Sequence, residues 1–512
     1  MRAPAYDREP DFDVIIIGAG VSGVGAARHL TQRCPDRSFA ILEAREAMGG
    51  TWDLFRYPGI RSDSDMYTFG YASKPWTGGK AFADGEDIKS YVEEAARETG
   101  VDQHIRYGHR MQTANWDSQA GLWTVRVAAQ DGEQSLTCRF LMMCSGYYRY
   151  DQGYMPDFEG ADRFGGEIVH PQHWPEGLDY TGKRVVVIGS GATAVTLVPA
   201  MAHSAEHVTM LQRSPTYIAA RPSRDAVADF LRKWLPGKLA YGLSRAKNIG
   251  FSIFFYELSQ RFPDFVKKGV IKEIQTQLGE DFDVERHFTP SYKPWDQRFC
   301  LAPDGDFFAA LKAGEASIVT DTIDRFSEEG VVLSSGDVLE ADIIIPATGL
   351  EMQIAGGASL TVDGRLSDPA EHFTYRGMML SQIPNLALTF GYTNASWTLK
   401  IDLTCERVCR MLNHMRRTGD QIAVALPPED IEPLPLLDFS SGYVQRALAG
   451  LPRQGSEPPW RTYQNYVQDM FAIRYGRLDD GHMVFFQPGA LKPESLRPAG
   501  AAALPDLAEA AE

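Results

Sequence analysis

The stretch DVIIIGAGVSGVGAARHL (residues 13–30) decides the fold. A β-branched run, Val14 to Ile17, is followed by Gly18, Gly20 and Gly23 in a G-x-G-x-x-G spacing and then by residues that favour a helix. The run does not alternate with polar residues, so it predicts a strand covered on both faces, as in a parallel sheet flanked by helices. The same order recurs in RVVVIGSGATAVTLVPAMA (residues 184–202).

A duplicated strand-turn-helix unit predicts an α/β fold with two Rossmann-like dinucleotide-binding domains. In the first turn Gly18 permits the tight bend, Gly20 lets backbone approach a pyrophosphate and Gly23 lets the helix pack closely. About twenty residues further on, the strand SFAILEA (38–44) ends in Glu43, a carboxylate placed to accept hydrogen bonds from ribose hydroxyls. The second turn has Gly189 and Gly191, with Ala194 at the third position, and its next strand ends in Gln212, Arg213 and Ser214. A guanidinium and a hydroxyl there suit a 2′-phosphate, so the expected pair is FAD at the first turn and NADPH at the second. Two such sites imply a flavin reduced by a nicotinamide. A disulfide reductase would need a redox-active cysteine pair near the flavin, and neither turn has one nearby. Oxygen is then the expected acceptor.

The bulk properties agree with a cytoplasmic enzyme. The 512 residues, 44% of them hydrophobic, are enough for two or three lobes, and a net charge of −16 disfavours non-specific attraction to nucleic acid or to an anionic membrane surface. The six cysteines are scattered without a CxxC pair, and Cys405 and Cys409, one helical turn apart, read as small core residues. No apolar run approaches the length needed to span a bilayer, and the N-terminus lacks a signal-peptide core. Between the second unit and the strand ADIIIPATG (341–349) lies a stretch rich in Lys, Leu and aromatics at helical spacing, including RKWLPGKLAYGLSRAKNIGFSIFFYELSQ (232–260). It predicts a helical insertion serving as a lid or subunit contact, with a membrane interface as the alternative.

Two further segments point to a family. FGGEIVHPQHWP (164–175) matches the FxGxxxHxxxWP fingerprint of type I Baeyer-Villiger monooxygenases through Phe164, Gly166, His170, Trp174 and Pro175. GGTWDLFRYPGIRSDSDMY (49–67) matches the companion fingerprint through Gly50, Trp52, Tyr57, Pro58, Gly59 and Asp63. The likeness continues through CSGYY at Cys144, QRSPTY at Gln212, PWDQR at Pro294, ATG at Ala347 and GYTNASWTLK at Gly391. The chain therefore resembles that family over nearly its whole length, and within it the mycobacterial subgroup that activates the thioamide prodrug ethionamide.

The resemblance implies that NADPH reduces FAD, that oxygen then adds to the flavin as a peroxide, and that the product is an ester or lactone from a ketone or an S-oxide from a sulfide or thioamide. Arg298 is implied as the cation beside the flavin and Asp63 as the carboxylate that orients it. His170 and Trp174 are implied to anchor a linker that moves during turnover; without the resemblance His170 and His173 suggest a metal pair, against which stand Pro171, Pro175 and the lack of a third ligand. The expected cofactor contacts are Gly18, Gly20, Val21, Ser22, Gly23 and Glu43; Gly50, Thr51, Trp52, Asp63 and Tyr67; Gly189, Gly191, Ala192, Thr193, Arg213 and Ser214; and Thr348 and Gly349. Gln297 stands where several family members carry a lysine for the 2′-phosphate, which leaves more of that selectivity to Arg213. Trp397 reads either as a cofactor or substrate contact or as core. An N-oxidising flavin monooxygenase, which usually lacks the Trp-Pro pair, and an NADPH oxidase are the alternatives.

The expected division is an FAD-binding domain in residues 1–150 and 346–490, an NADP-binding domain in 151–224 and 291–345, a helical insertion in 225–290 and a disordered tail in 491–512.

Overall fold

The computed structural model describes residues 9–297, 299–490 and 493–496. Most of the tail from residue 491 onward therefore lies outside the described residues. Strand β1 (Phe12–Ile17) runs parallel to β2 (Phe39–Leu42) on one side and to the strand Gly132–Met143 on the other. Its last four residues are buried, as a central strand requires. The sheet continues beyond β2 to Ile105–Arg106. On the other side it turns antiparallel through Leu122–Ala129 and Arg110–Asp117, and the late strand Ser359–Val362 adds to that edge. Leu386–Leu388 also pairs with Gly132–Met143, so the chain returns to its first sheet after leaving it.

The second unit forms its own all-parallel sheet. There β3 (Arg184–Ile188) lies between β4 (His207–Gln212) and Ile343–Pro346, flanked by Ala316–Thr320 and Glu167–Ile168. The fold is thus α/β with two central parallel strands, each leading through a glycine turn into a helix, α1 (Val21–Arg33) or α2 (Ala192–Ala202).

Between the short parallel strands Ile218–Arg221 and Cys300–Pro303 the chain makes a helical excursion. It contains Ala226–Trp234, α3 (Gly237–Arg261), α4 (Pro263–Leu278) and Val284–Phe288. Helix α4 buries Val266, Val270 and Ile274, spaced by four, against the core of the second sheet. Helix α3 does the opposite. Its buried residues are Ala240, Tyr241, Ser244, Arg245 and Ser259, while Leu239, Leu243, Phe251 and Phe254 face outward and Phe255 and Leu258 pack against the second-sheet core.

Arg245 fixes α3 in place. Its guanidinium donates to the carbonyls of Tyr67 (2.8 Å) and Gly70 (2.6 Å) and lies 3.4 Å from the Asp402 carboxylate on α5 (Trp397–Thr418). Replacing Arg245 with Leu leaves those buried acceptors without their donor, so Arg245→Leu is expected to lower stability by about 3 kcal/mol in urea unfolding. A change within experimental error would show that α3 is held by other contacts.

Candidate active site

Both glycine turns open on one cavity of about 1230 Å³. The two turns are built alike. Gly18 has φ +99°, and a Cβ there would lie 2.6 Å from the Cys144 carbonyl oxygen; Gly189 has φ +125°, and a Cβ there would lie 2.5 Å from the Ala347 carbonyl oxygen. The segments that end the neighbouring strands, Cys144-Ser145-Gly146 and Ala347-Thr348-Gly349, thus cross the two turns at equivalent places. At Gly23 a Cβ would sit 1.8 Å from the Gly18 oxygen, so α1 can reach the strand end only through a glycine.

Helices α1 and α2 start at Gly20 and Gly191 with no side-chain cap. Their first amides are therefore left for a ligand or water, and an anionic pyrophosphate fits such a helix start. The turns differ in one respect. A Cβ at Gly20 would meet the Gly50 Cα at 3.4 Å, whereas nothing lies within 4 Å of a Cβ at Gly191. The first turn is packed over by the Gly49-Gly50 bend and the second is open.

Of the expected contacts, Gly18, Gly20, Val21, Ser22, Glu43, Gly50, Thr51, Trp52 and Asp63 line the cavity around the first turn. Gly189, Gly191, Ala192, Thr193, Arg213, Ser214, Thr348 and Gly349 line it around the second. Gly23 packs behind the turn rather than lining it. Tyr67 also lies off the cavity lining, buried against Tyr241 of α3 with ring centroids 6.2 Å apart. Arg298 lies outside the described residues; Gln297 and Cys300, on either side of it in sequence, line the cavity.

The acidic residues divide their tasks. The Glu43 carboxylate accepts the Ala19 N–H at 2.7 Å and the Arg45 N–H at 2.9 Å, joining the turn to the end of β2, and burial raises its pKa. In the run 61–65 the helix-capping residue is Asp65, which accepts from Thr68 N–H and Asn248. Asp63 faces the cavity instead. At the end of β4, Gln212 is buried and donates to the His287 carbonyl and Thr320 Oγ1, leaving Arg213 and Ser214 exposed at the rim.

The segment 391–400 closes one wall. Trp397, the first residue of α5, donates from Nε1 to Ser22 Oγ at 3.1 Å and stacks on Tyr147 with centroids 4.8 Å apart. Tyr392, also on the wall, donates to Asp469, which is ion-paired with the buried Lys400. Ser145, Tyr147 and Tyr392 were not among the expected contacts. The parallel between CSG after an apolar run and ATG after another was the signal in the sequence that marks Ser145.

His170 and Trp174 stand away from the cavity lining. The His170 ring lies over Gly153, where a Cβ would meet it at 2.0 Å, its Nδ1 accepts the Gln172 N–H, and burial lowers its pKa. Trp174 packs against the core of the second sheet. Among the described residues no three His, Cys, Asp or Glu side chains are grouped to hold a metal ion.

Comparison with known proteins places this geometry. The flavin-binding monooxygenase-like family model matches residues 12–230. The FAD-containing monooxygenase EthA of Mycolicibacterium smegmatis is 54% identical over 476 residues, covering 93% of this chain and 97% of that protein. The probable FAD-binding monooxygenase AlmA of Acinetobacter baylyi is 50% identical over 481 residues, covering 93% of this chain and 96% of that protein. The solved structure of OTEMO in complex with FAD and NADP superposes with a TM-score of 0.68 at 25% identity, over 82% of this chain and 88% of that one.

Glu43→Ala removes the acceptor of two buried amides at the base of the first turn. We expect it to weaken dinucleotide binding there by about 2 kcal/mol, roughly thirtyfold in Kd, and to leave binding at the second turn unchanged in fluorescence titrations. Equal losses at both turns would mean that the variant has damaged the fold.

Proposed function

Because the chain belongs to the flavin-binding monooxygenase family, we propose that it binds FAD at the first turn and NADPH at the second, and inserts one oxygen atom of O2 into ketones, giving esters or lactones. The same site oxidises sulfides or thioamides to S-oxides. The observation that carries this reading is the single cavity joining two uncapped helix starts, each beneath an equivalent crossing segment.

Bound FAD, once reduced by NADPH, supplies the oxygen-activating chemistry. The protein's part is to bind, orient and exclude water. The amides at the start of α1 receive the FAD pyrophosphate, and the Glu43 carboxylate, already oriented by Ala19 and Arg45, has lone pairs left for the ribose. The Gly49-Gly50 bend packed over Gly20 suits a cofactor that stays, and the open Gly191 suits one that exchanges. Arg213 and Ser214 at the open rim select the 2′-phosphate. Trp397, held by Ser22 and Tyr147, keeps water from one wall.

Arg298 supplies fixed positive charge at the reacting centre, because a guanidinium stays protonated while charge develops beside it. Asp63 orients it; the cavity-facing position of Asp63, and of Gln297 and Cys300 around Arg298, supports that pair. His170 and Trp174 connect the 149–154 segment to the second sheet, which suits a linker that transmits relative motion. The two separate sheets support the domain division, with 225–290 as the insertion. Six buried cysteines, none in a disulfide, suit a reducing cytoplasm, and no helix among the described residues is long and apolar enough to cross a membrane.

The test is to purify the protein, record its flavin spectrum and follow NADPH consumption with a ketone and a thioether while identifying the products. Ester or sulfoxide formation is expected. Peroxide alone would identify an NADPH oxidase, and products only from amines would identify an N-oxidising enzyme. Arg298→Ala is expected to keep NADPH-dependent flavin reduction and to lose oxygen insertion by ~100-fold or more. Arg213→Ala is expected to raise KM for NADPH by about tenfold while leaving that for NADH unchanged, since only the former carries the 2′-phosphate. Parallel changes for both nucleotides would remove Arg213 from that role.

A further inference from the structure

The outer face of the helical insertion is apolar where a solvated surface would be polar. Along the 25-residue helix α3, exposed positions include Leu239, Leu243, Ala246, Gly250 and Phe254, spaced to form one stripe over about 22 Å. Phe251 lies beside it, and the packed helix Ala226–Trp234 adds Phe230 and Trp234, which are 63% and 68% exposed. Such a contiguous patch on a single chain marks a contact surface. It is no leftover of core packing, because the inner face of α3 is already anchored by Arg245, two buried serines and the packing of Phe255 and Leu258 on the second-sheet core.

Charge identifies the occupant. From Phe230 to Tyr256 there is no acidic residue but five basic ones, in a chain whose net charge is −16. Arg232 pairs with Asp229, Lys247 with Asp225, and Arg245 is buried. Lys233 and Lys238 stand exposed beside the aromatic residues, with the Lys233 Nζ 5.7 Å from the Trp234 ring centroid. Aromatic side chains with lysines at their margin, on a helix too polar to insert across a bilayer, match an interfacial helix. A symmetric contact between two copies would set the exposed Lys233 and Lys238 against the same acid-free segment, with no acidic residue from Phe230 to Tyr256 to meet them.

We propose that this face docks the protein on an anionic lipid surface, with the aromatic residues entering the headgroup region and Lys233 and Lys238 meeting lipid phosphates. The other side of α3 carries Phe255 and Tyr256 against Trp295, two residues from the cavity-lining Gln297, so docking brings the lipid surface within one helix of the cavity wall.

Flotation of the full-length protein tests this with vesicles of equal parts phosphatidylglycerol and phosphatidylcholine, against vesicles of phosphatidylcholine alone. The protein should float with the anionic vesicles and be released by salt. The double variant Trp234→Glu/Phe254→Glu should lower the bound fraction at least ~tenfold while its unfolding midpoint stays close to that of the parent. Binding to neither vesicle, equal binding to both, or unchanged binding of the variant overturns the proposal. So does light scattering that reveals a dimer split by the same two substitutions, which would assign the face to a second copy of the chain.

Discussion

The contact on which the architecture depends is between Gly23 and the Gly18 carbonyl, where no carbon atom fits between helix and turn. It sets the start of α1 directly over the end of β1 and aims the first amides of the helix along the strand axis into the cavity. A helix so placed needs a second layer behind it. That layer is α5, formed from residues late in the chain: Ile401, Cys405, Val408 and Leu412 meet Val24, Ala27 and Leu30 in one core, and Trp397 reaches back to Ser22. The need to cover α1 is thus a physical reason for the chain to return to its first sheet after completing the second.

Repetition of that unit explains the symmetry of the cavity, and small departures from it explain its polarity. The same crossing carbonyl stands over Gly18 and over Gly189. Only the first turn has a loop packed across its second glycine, and only the second ends its following strand in an exposed guanidinium. Two copies of one supersecondary element therefore offer unequal sites, one enclosed and one at the rim, without any change in their backbone plan.

The insertion is held to this frame in two ways, α4 by apolar burial and the first half of α3 by polar contacts. Arg245 gathers three buried oxygens from the 67–70 segment and α5, while Leu239, Leu243, Phe251 and Phe254 of α3 are left to the outside. A guanidinium that satisfies several acceptors at once can anchor a helix that contributes little to the core.

The covered strands, the duplicated units and the residues at the two turns were legible in the sequence, because strand periodicity and glycine spacing are local properties of the backbone. The helical insertion was legible for the same reason, though not which of its faces is buried; α3 reverses the usual order because the partner it meets is a row of carbonyls. Tyr67 stands next to a matched fingerprint yet packs away from the cavity, and of the two aspartates in 61–65 only the tertiary structure separates the cap, Asp65, from the cavity residue, Asp63. Ser145 and Tyr147 enter the site because the strand beside β1 happens to end there, more than a hundred residues from Gly18. The sequence by itself determined the repeated element and the glycine spacing of its turns; only the tertiary structure decided which distant segments share the cavity, since that depends on strand order and on where each strand stops.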